Sequence, residues 1–127
     1  MINSPKFMIC GLCGNIVGMV KDKGGPLSCC GKSMTQLMPN TVEASQEKHL
    51  PEVTKTSDGI SVKVGSVPHP MEESHLVEFI YVKSAKGAQR VNFKAGDAPE
   101  AEFCCIDLPA EVYEYCNLHG LWKTEVK

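Results

Sequence analysis

The stretch GISVKVGSV, residues 59–67, decides the fold class of this chain. Its apolar residues Ile60, Val62 and Val64 alternate with small or polar ones. Such an alternation places the apolar side chains on one face of an extended strand. The stretch therefore predicts a β-strand with one buried face.

Short strands of the same kind are predicted further along the chain. They are rich in β-branched and aromatic residues and are separated by clusters of Gly, Pro, Lys and Asp. Their sequences are HLVEFIYVK (75–83), QRVNFKAG (89–96), EFCCIDL (102–108) and EVYEYC (111–116). Before them, TVEASQEKH (41–49) predicts no more than a helical turn, because Pro51 soon stops it. The pattern favours an all-β fold, an antiparallel sandwich or barrel.

The first part of the chain differs from the rest in composition. Residues 1–37 are rich in glycine, and the apolar segments KFMIC and NIVGMV are typical of very short strands between tight turns. A piece below about 40 residues seldom folds on a hydrophobic core alone, so a metal or a cross-link should hold it together. We therefore expect two domains, residues 1–37 and 38–127.

Composition and charge limit the classes of function. The 127 residues include 13 Lys plus Arg against 15 Asp plus Glu, so there is no basic field for nucleic acid. No apolar run approaches the roughly 20 residues of a membrane span, and the first residues resemble no secretory signal. We expect a soluble cytoplasmic protein without a membrane or nucleic-acid partner. In that setting seven cysteines indicate metal binding rather than a disulfide framework.

Four cysteines near the start form the first candidate metal site. Cys10 and Cys13 make a CxxC motif, and fifteen residues later Cys29 and Cys30 are adjacent. Four thiolates bind zinc or iron tetrahedrally, although adjacent cysteines distort the site. A disulfide pair or a structural zinc remains an alternative at this point, and the residues alone leave the metal undecided.

A second candidate site combines the four histidines with one cysteine. A lone histidine is more often a surface or hydrogen-bonded residue than a ligand, but prolines here brace several of the segments that carry one. The candidate ligands are His49, His69, His75, Cys116 and His119. Five ligands exceed the closed set of a structural zinc and leave one position open on a six-coordinate metal. Imidazole suits iron, and an axial thiolate donates electron density to it, which indicates redox chemistry with a small oxygen species.

The order of these motifs resembles a known family. CxxC followed by Cys-Cys, then EKH (47–49), HPMEESH (69–75) and YCNLHGLW (115–122), is similar to desulfoferrodoxin, the two-domain superoxide reductase. The resemblance spans nearly the whole chain. It implies a desulforedoxin-like module with a mononuclear Fe(Cys)4 centre, followed by an immunoglobulin-like β-domain that holds the catalytic iron.

The resemblance also implies the reaction and its partners. Superoxide would be reduced by one electron, with two protons, to hydrogen peroxide, and no O2 would be released. The four imidazoles would surround the iron in one plane, with Cys116 axial and superoxide meeting the open position opposite the sulfur. Electrons would come from an external donor such as rubredoxin, and the protein would be a homodimer.

Two residues beside His49 complete the expected site. Lys48 would place a positive charge near the open position and attract the anionic substrate, although the chain has a net charge of −2. The carboxylate of Glu47 would enter the open position of the ferric state, as the resemblance implies. Without the motif, both would be read as solvated surface residues.

Other functions remain open from sequence alone. One is an electron-transfer protein whose second iron is incidental, another is a superoxide dismutase, and a third is a structural or interaction module that binds zinc. Cys104 and Cys105 belong to neither ligand set. They are expected to point to opposite faces of a strand, one of them inward, and no function is assigned to them.

Overall fold

The computed structural model describes residues 2–42, 46–67 and 69–127, and for Gln46 and Glu47 it describes the backbone alone. The chain divides into two compact units. One is Ser4–Met38, and the other is Pro39–Lys127 together with the residues that precede Ser4. Within the described ranges, no helix is both long and apolar enough to cross a bilayer.

The smaller unit consists of five very short strands. Its three-stranded antiparallel sheet has the order β2-β1-β5, formed by β1 (Phe7–Ile9), β2 (Ile16–Gly18) and β5 (Thr35–Gln36). A hairpin joins β3 (Ser28–Cys29) to β4 (Lys32–Ser33). Among the described residues of this unit, Phe7 and Cys10 alone are buried. That is too little apolar surface to form a core, as the composition predicted.

The described part of the larger unit contains one helical turn and seven strands. The elements are α1 (Gln46–His49), β6 (Pro51–Lys55), β7 (Gly59–Val64), β8 (Val77–Ser84), β9 (Ala88–Asn92), β10 (Glu100–Cys104), β11 (Ala110–Cys116) and β12 (Gly120–Val126). The strands form two antiparallel sheets, one of order β10-β7-β6 and the other of order β12-β11-β8-β9.

The core of this unit lies between the two sheets. Ile60, Val62 and Val64 of β7 are buried, as the alternation predicted, and Phe103 of β10 joins them. The facing sheet contributes side chains from β8, β11 and β12, among them the fully buried Ile80. Two antiparallel sheets packed over a shared apolar layer form a β-sandwich. The predicted all-β architecture, a small cysteine-rich module followed by a sandwich, is confirmed.

The central strand β11 determines where the second metal site forms. All seven of its residues are buried, because β8 and β12 flank it and both of its faces are covered. The pairing with β8 changes register between Tyr115 and Cys116, at the carboxyl end of the strand. Such an irregularity changes the direction of a side chain where regular pairing ends.

Candidate metal centres

The four histidines come together in the larger unit as a closed cycle. Each ring lies edge-to-face against two others, in the order His49, His69, His75, His119 and back to His49. Neighbouring centroids are 4.8 to 5.1 Å apart, and the interplanar angles are 74° to 81°. Residues up to 70 positions apart thus bring four imidazoles together. The ligand atoms of three of them, His49, His75 and His119, lie within 4.8 Å of one another, whereas His69 joins the cycle by its ring contacts and is not in that set.

The ligand atoms of this cycle fit a bound metal ion. His49 Nε2 lies 3.1 Å from His119 Nδ1, close to the roughly 3.0 Å expected for adjacent nitrogens that each lie about 2.1 Å from a metal. The Nε2 atoms of His69 and His75 are buried and have no hydrogen-bond partner among the described atoms. Buried polar atoms are normally paired, so these orphans indicate a missing ligand to both.

The thiol of Cys116 belongs to the same cluster. Its Sγ atom is 3.9 Å from His119 Nδ1 and lies within 4.8 Å of the ligand atoms of His49, His75 and His119. Burial raises the pKa of this thiol, although the amides of Leu118 and His119 hydrogen-bond the sulfur and oppose the effect. A cation is therefore needed to hold the thiolate in this position at neutral pH.

The hairpin between β11 and β12 sets the spacing of Cys116 and His119. Cys116 pairs with Gly120, and the three residues between them form the loop. Gly120 has a φ of 83°, a left-handed conformation that glycine adopts without strain and that commonly closes a three-residue hairpin loop. The thiol and the imidazole are therefore held on one tight loop that ends the most buried strand.

Asn117 fixes the segment that carries His75. Its Oδ1 accepts a hydrogen bond from the Leu76 amide at 3.0 Å, and its Nδ2 donates to the Ser74 carbonyl at 3.1 Å. His75 also exchanges two backbone hydrogen bonds with Glu72, of 2.9 and 3.0 Å. The sequence analysis did not identify Asn117. The one available signal was its position between the ligands Cys116 and His119.

His69 is held in the form that binds a metal. Its Nδ1 lies 2.7 Å from the Pro70 carbonyl, which fixes the proton on Nδ1 and leaves the Nε2 lone pair free. Burial lowers the pKa of His69 to about 4, so the ring is neutral at physiological pH. Both effects favour a neutral imidazole with its acceptor nitrogen toward the cluster.

Trp122 contacts two residues of the cycle, His49 and His119. Its ring stacks on His49 with a centroid distance of 5.1 Å and an interplanar angle of 21°. Its Nε1 donates a 3.1 Å hydrogen bond to the His119 carbonyl. Trp122 thus packs around the site, whereas Tyr115 stacks on Phe79 at 5.8 Å.

Glu114 is an unexpected neighbour, two residues before Cys116. Its side chain is fully buried, and neither carboxyl oxygen has a hydrogen-bond partner among the described atoms. Burial raises the pKa of Glu114 to about 9, so the carboxyl is neutral at pH 7 in the protein without a cation. The sequence alone did not single out this residue.

The four cysteines of the smaller unit form the second cluster. The sulfurs of Cys10, Cys13, Cys29 and Cys30 all lie within 4.8 Å of one another. Cys13 Sγ is 3.6 Å from Cys29 Sγ, which in turn is 3.9 Å from Cys30 Sγ. Thiolates bound at about 2.3 Å around a tetrahedral ion are roughly 3.8 Å apart, so this cluster also fits a metal.

The pKa values of the thiols in this cluster also indicate a bound cation. Hydrogen bonds from the backbone amides of Cys13 and Leu12 lower the pKa of Cys10 to about 6. The pKa of Cys29 is raised to about 12, chiefly by its hydrogen bond with the Cys10 side chain. The Cys10 thiolate therefore forms readily, and a bound cation is needed to ionise Cys29.

The remaining predicted site residues lie next to His49. Lys48 is in α1, and its side chain is exposed, while His49 beside it is buried. The side chain of Glu47 lies outside the described residues. All seven cysteines are described and carry free thiols, which agrees with metal ligation rather than disulfides.

Comparison with known proteins gives a consistent result over both units. The family model described as Desulfoferrodoxin matches residues 41–125, and the one described as Desulfoferrodoxin, N-terminal domain, matches residues 6–37. The desulfoferrodoxin of Syntrophotalea carbinolica is 53% identical over 116 residues, covering 91% of this chain and 92% of that protein. That of Nitratidesulfovibrio vulgaris is 45% identical and covers 98% and 99%.

A solved structure agrees with these relatives. The superoxide reductase from Treponema pallidum superimposes with a TM-score of 0.77 at 33% sequence identity. The match covers 96% of this chain and 99% of that one, so it includes both units.

Proposed function

The chain belongs to the desulfoferrodoxin family, and on that premise we propose which of its residues carry out the reduction of superoxide. The protein is a superoxide reductase, which converts superoxide, one electron and two protons into hydrogen peroxide and releases no O2. The closed cycle of four imidazoles with a buried thiol beside it carries this conclusion, because such a donor set leaves one position open for a small oxygen species.

Iron, when bound, supplies the one-electron couple in each of the two donor sets. At the catalytic centre it would be held by the Nε2 atoms of His49, His69 and His75, by Nδ1 of His119 and by the Cys116 sulfur. At the other centre it would be held by the sulfurs of Cys10, Cys13, Cys29 and Cys30. The two orphaned Nε2 atoms and the sulfur separations support these assignments.

We assign Lys48 the attraction of the anionic substrate. Lys48 directly precedes buried His49 in α1 and its side chain is exposed, so we infer that its ammonium group adds positive charge on the solvent side of the imidazole cycle. Local positive charge raises the rate of encounter with an anion even in a protein of net charge −2. We assign Glu47, one residue earlier, the role of a carboxylate that occupies the open position of oxidised iron.

The Lys48 assignment is tested with two variants of equal charge. Lys48→Ala should slow the second-order reaction with superoxide several-fold and weaken its dependence on ionic strength. Lys55→Ala removes an exposed lysine from β6 and should leave the rate near that of the wild type. Equal rates for both variants, measured by stopped-flow or pulse radiolysis, would remove Lys48 from the mechanism.

The Glu47 assignment requires a different readout. Glu47→Ala should leave the encounter rate near the wild-type value and change the absorption spectrum of the oxidised catalytic iron. An unchanged spectrum would count against a ligand role. Metal content is measured on the same samples: iron with thiolate-to-iron absorption is expected, and a colourless protein with two zinc ions would contradict the redox function.

We further propose the partners and the organisation of the protein. Residues 1–37 and 38–127 act as separate domains, the first receiving electrons from a rubredoxin-like donor. The exposed sulfur-bearing residues Cys13 and Cys30, beside exposed Leu12, support a short path from a docked donor to this centre. The protein is proposed to be a cytoplasmic homodimer. Sedimentation analysis tests the dimer, and superoxide reduction driven by reduced rubredoxin tests the donor.

A further inference from the structure

Two adjacent cysteines, Cys104 and Cys105, lie outside both metal centres, at the end of β10. Cys104 is the last residue of that strand, and Cys105 follows it with a φ of 60°. Both side chains are exposed, and the neighbouring Cys104 thiol raises the pKa of Cys105. The expectation that they point to opposite faces of a strand, one of them inward, is therefore wrong. The strand ends between them, and the left-handed residue breaks the alternation of sides.

The same backbone arrangement occurs at the adjacent cysteines of the smaller unit. Cys29 is the last residue of β3, and Cys30 follows with a φ of 54°. There the two sulfurs lie 3.9 Å apart and belong to one four-thiol cluster. A strand end followed by a left-handed cysteine is thus a conformation by which this chain directs two consecutive thiols toward one ion.

The conformation at Cys105 is held in place by its surroundings. The left-handed region is strained for a residue other than glycine, so other contacts must maintain this conformation. The Cys105 amide donates a 2.7 Å hydrogen bond to the Asp58 carbonyl, and Gln89 Nε2 donates one of 2.8 Å to the Cys104 carbonyl. Opposite Cys104 stands Gly59, where a β-carbon would overlap the Phe103 carbonyl oxygen. The pair of thiols is therefore built into the sheet edge.

We propose that Cys104 and Cys105 form a two-thiol chelating site for a soft, thiophilic ion, with trivalent arsenic as the chemical type that fits best. Thiolates select soft ions. Among the described residues, no third histidine, cysteine or carboxylate joins the pair closely enough to complete a tetrahedral set. Trivalent arsenic is pyramidal, so two adjacent sulfurs and one further substituent complete its coordination.

The binding step is an exchange without electron transfer. With phenylarsine oxide as the probe, two S–H bonds break and two As–S bonds form. The arsenic-bound oxygen leaves as water with both thiol protons, and arsenic stays trivalent. The proposal does not depend on the activity of the catalytic centre.

The test uses the full-length, iron-loaded protein with a phosphine reductant present. Phenylarsine oxide should bind one equivalent in native mass spectrometry, and the thiolate-to-iron absorption should not change. Cys104→Ser and Cys105→Ser should each weaken binding by about 100-fold or more, because a single thiol loses the advantage of chelation. Iron content serves as the check that each variant is folded.

Three results would overturn the proposal. In the first, the wild type takes up no arsenical, and in the second, both serine variants bind as tightly as the wild type. The third is uptake that bleaches the thiolate-to-iron absorption in proportion, which would place the arsenic on Cys29 and Cys30 instead.

Discussion

Removing the metal from the four-cysteine cluster should unfold Ser4–Met38 and leave the sandwich folded. The double variant Cys10→Ser/Cys13→Ser takes away half of the thiols. Phe7 is the one large side chain buried in the described part of this unit, and its burial contributes about 3 kcal/mol. The loss of conformational entropy opposes folding at every residue of the unit. A structural metal in a thiolate site supplies about 10–16 kcal/mol, so its loss removes the largest favourable contribution.

The expected change is large enough to measure by amide hydrogen exchange. Loss of the opening free energy of the unit, on the order of 4 kcal/mol, lowers protection factors in β1, β2 and β5 about a thousand-fold. Amides of β8, in the core of the sandwich, should keep their protection in the same sample. Cys104→Ser, which removes a thiol outside the cluster, is the control.

Retained protection would refute the reasoning. If elemental analysis shows the metal of this cluster to be lost and β1, β2 and β5 stay within tenfold of the wild-type protection, the metal does not hold the unit together. Chelation of the wild-type protein provides the same comparison without a substitution.

Three further predictions concern the larger unit. Asn117→Ala should lower the affinity for the catalytic ion about 10–100-fold in a chelator competition, because the His75 segment loses two hydrogen bonds, while Asn92→Ala at an exposed position should change little. Trp122→Phe keeps a ring against His49 but loses the bond to the His119 carbonyl, so thermal unfolding of the metal-loaded protein should show a loss of about 1 kcal/mol. Ile80→Ala should cost about 2–5 kcal/mol in urea unfolding, and a loss below 1 kcal/mol would contradict its central place in the core.

Much of the fold could be predicted because one sheet face is buried. The alternation in 59–67 reappears as β7, and the segments 75–83 and 111–116 contain most of β8 and β11. The strands β6 and β12 were not predicted. β6 begins at a proline and is largely exposed, so it has no buried apolar face to reveal it. The first residues of β12 belong to the metal-ligand motif, and they were interpreted as part of that motif rather than as a strand.

The site was predictable by residue type, but not in its supporting contacts. Metal chemistry restricts ligands to a few side chains, so His69 and Cys116 could be proposed from motifs alone. Asn117 and buried Glu114 act through contacts between distant segments or through burial, and neither leaves a local pattern in the sequence. The direction of Cys105 was missed for a related reason, since its backbone conformation depends on the Asp58 loop.

The complete burial of the Cys116 sulfur affects how long the enzyme survives its own chemistry. Each turnover generates an oxidant within a few ångströms of a thiolate, and thiolates that such oxidants reach progress to irreversible sulfinic and sulfonic acids. Because β11 is covered on both faces, an oxidant in bulk solvent cannot reach this sulfur through the sandwich. Burial thereby limits oxidation of the Cys116 sulfur by peroxide that returns from solution.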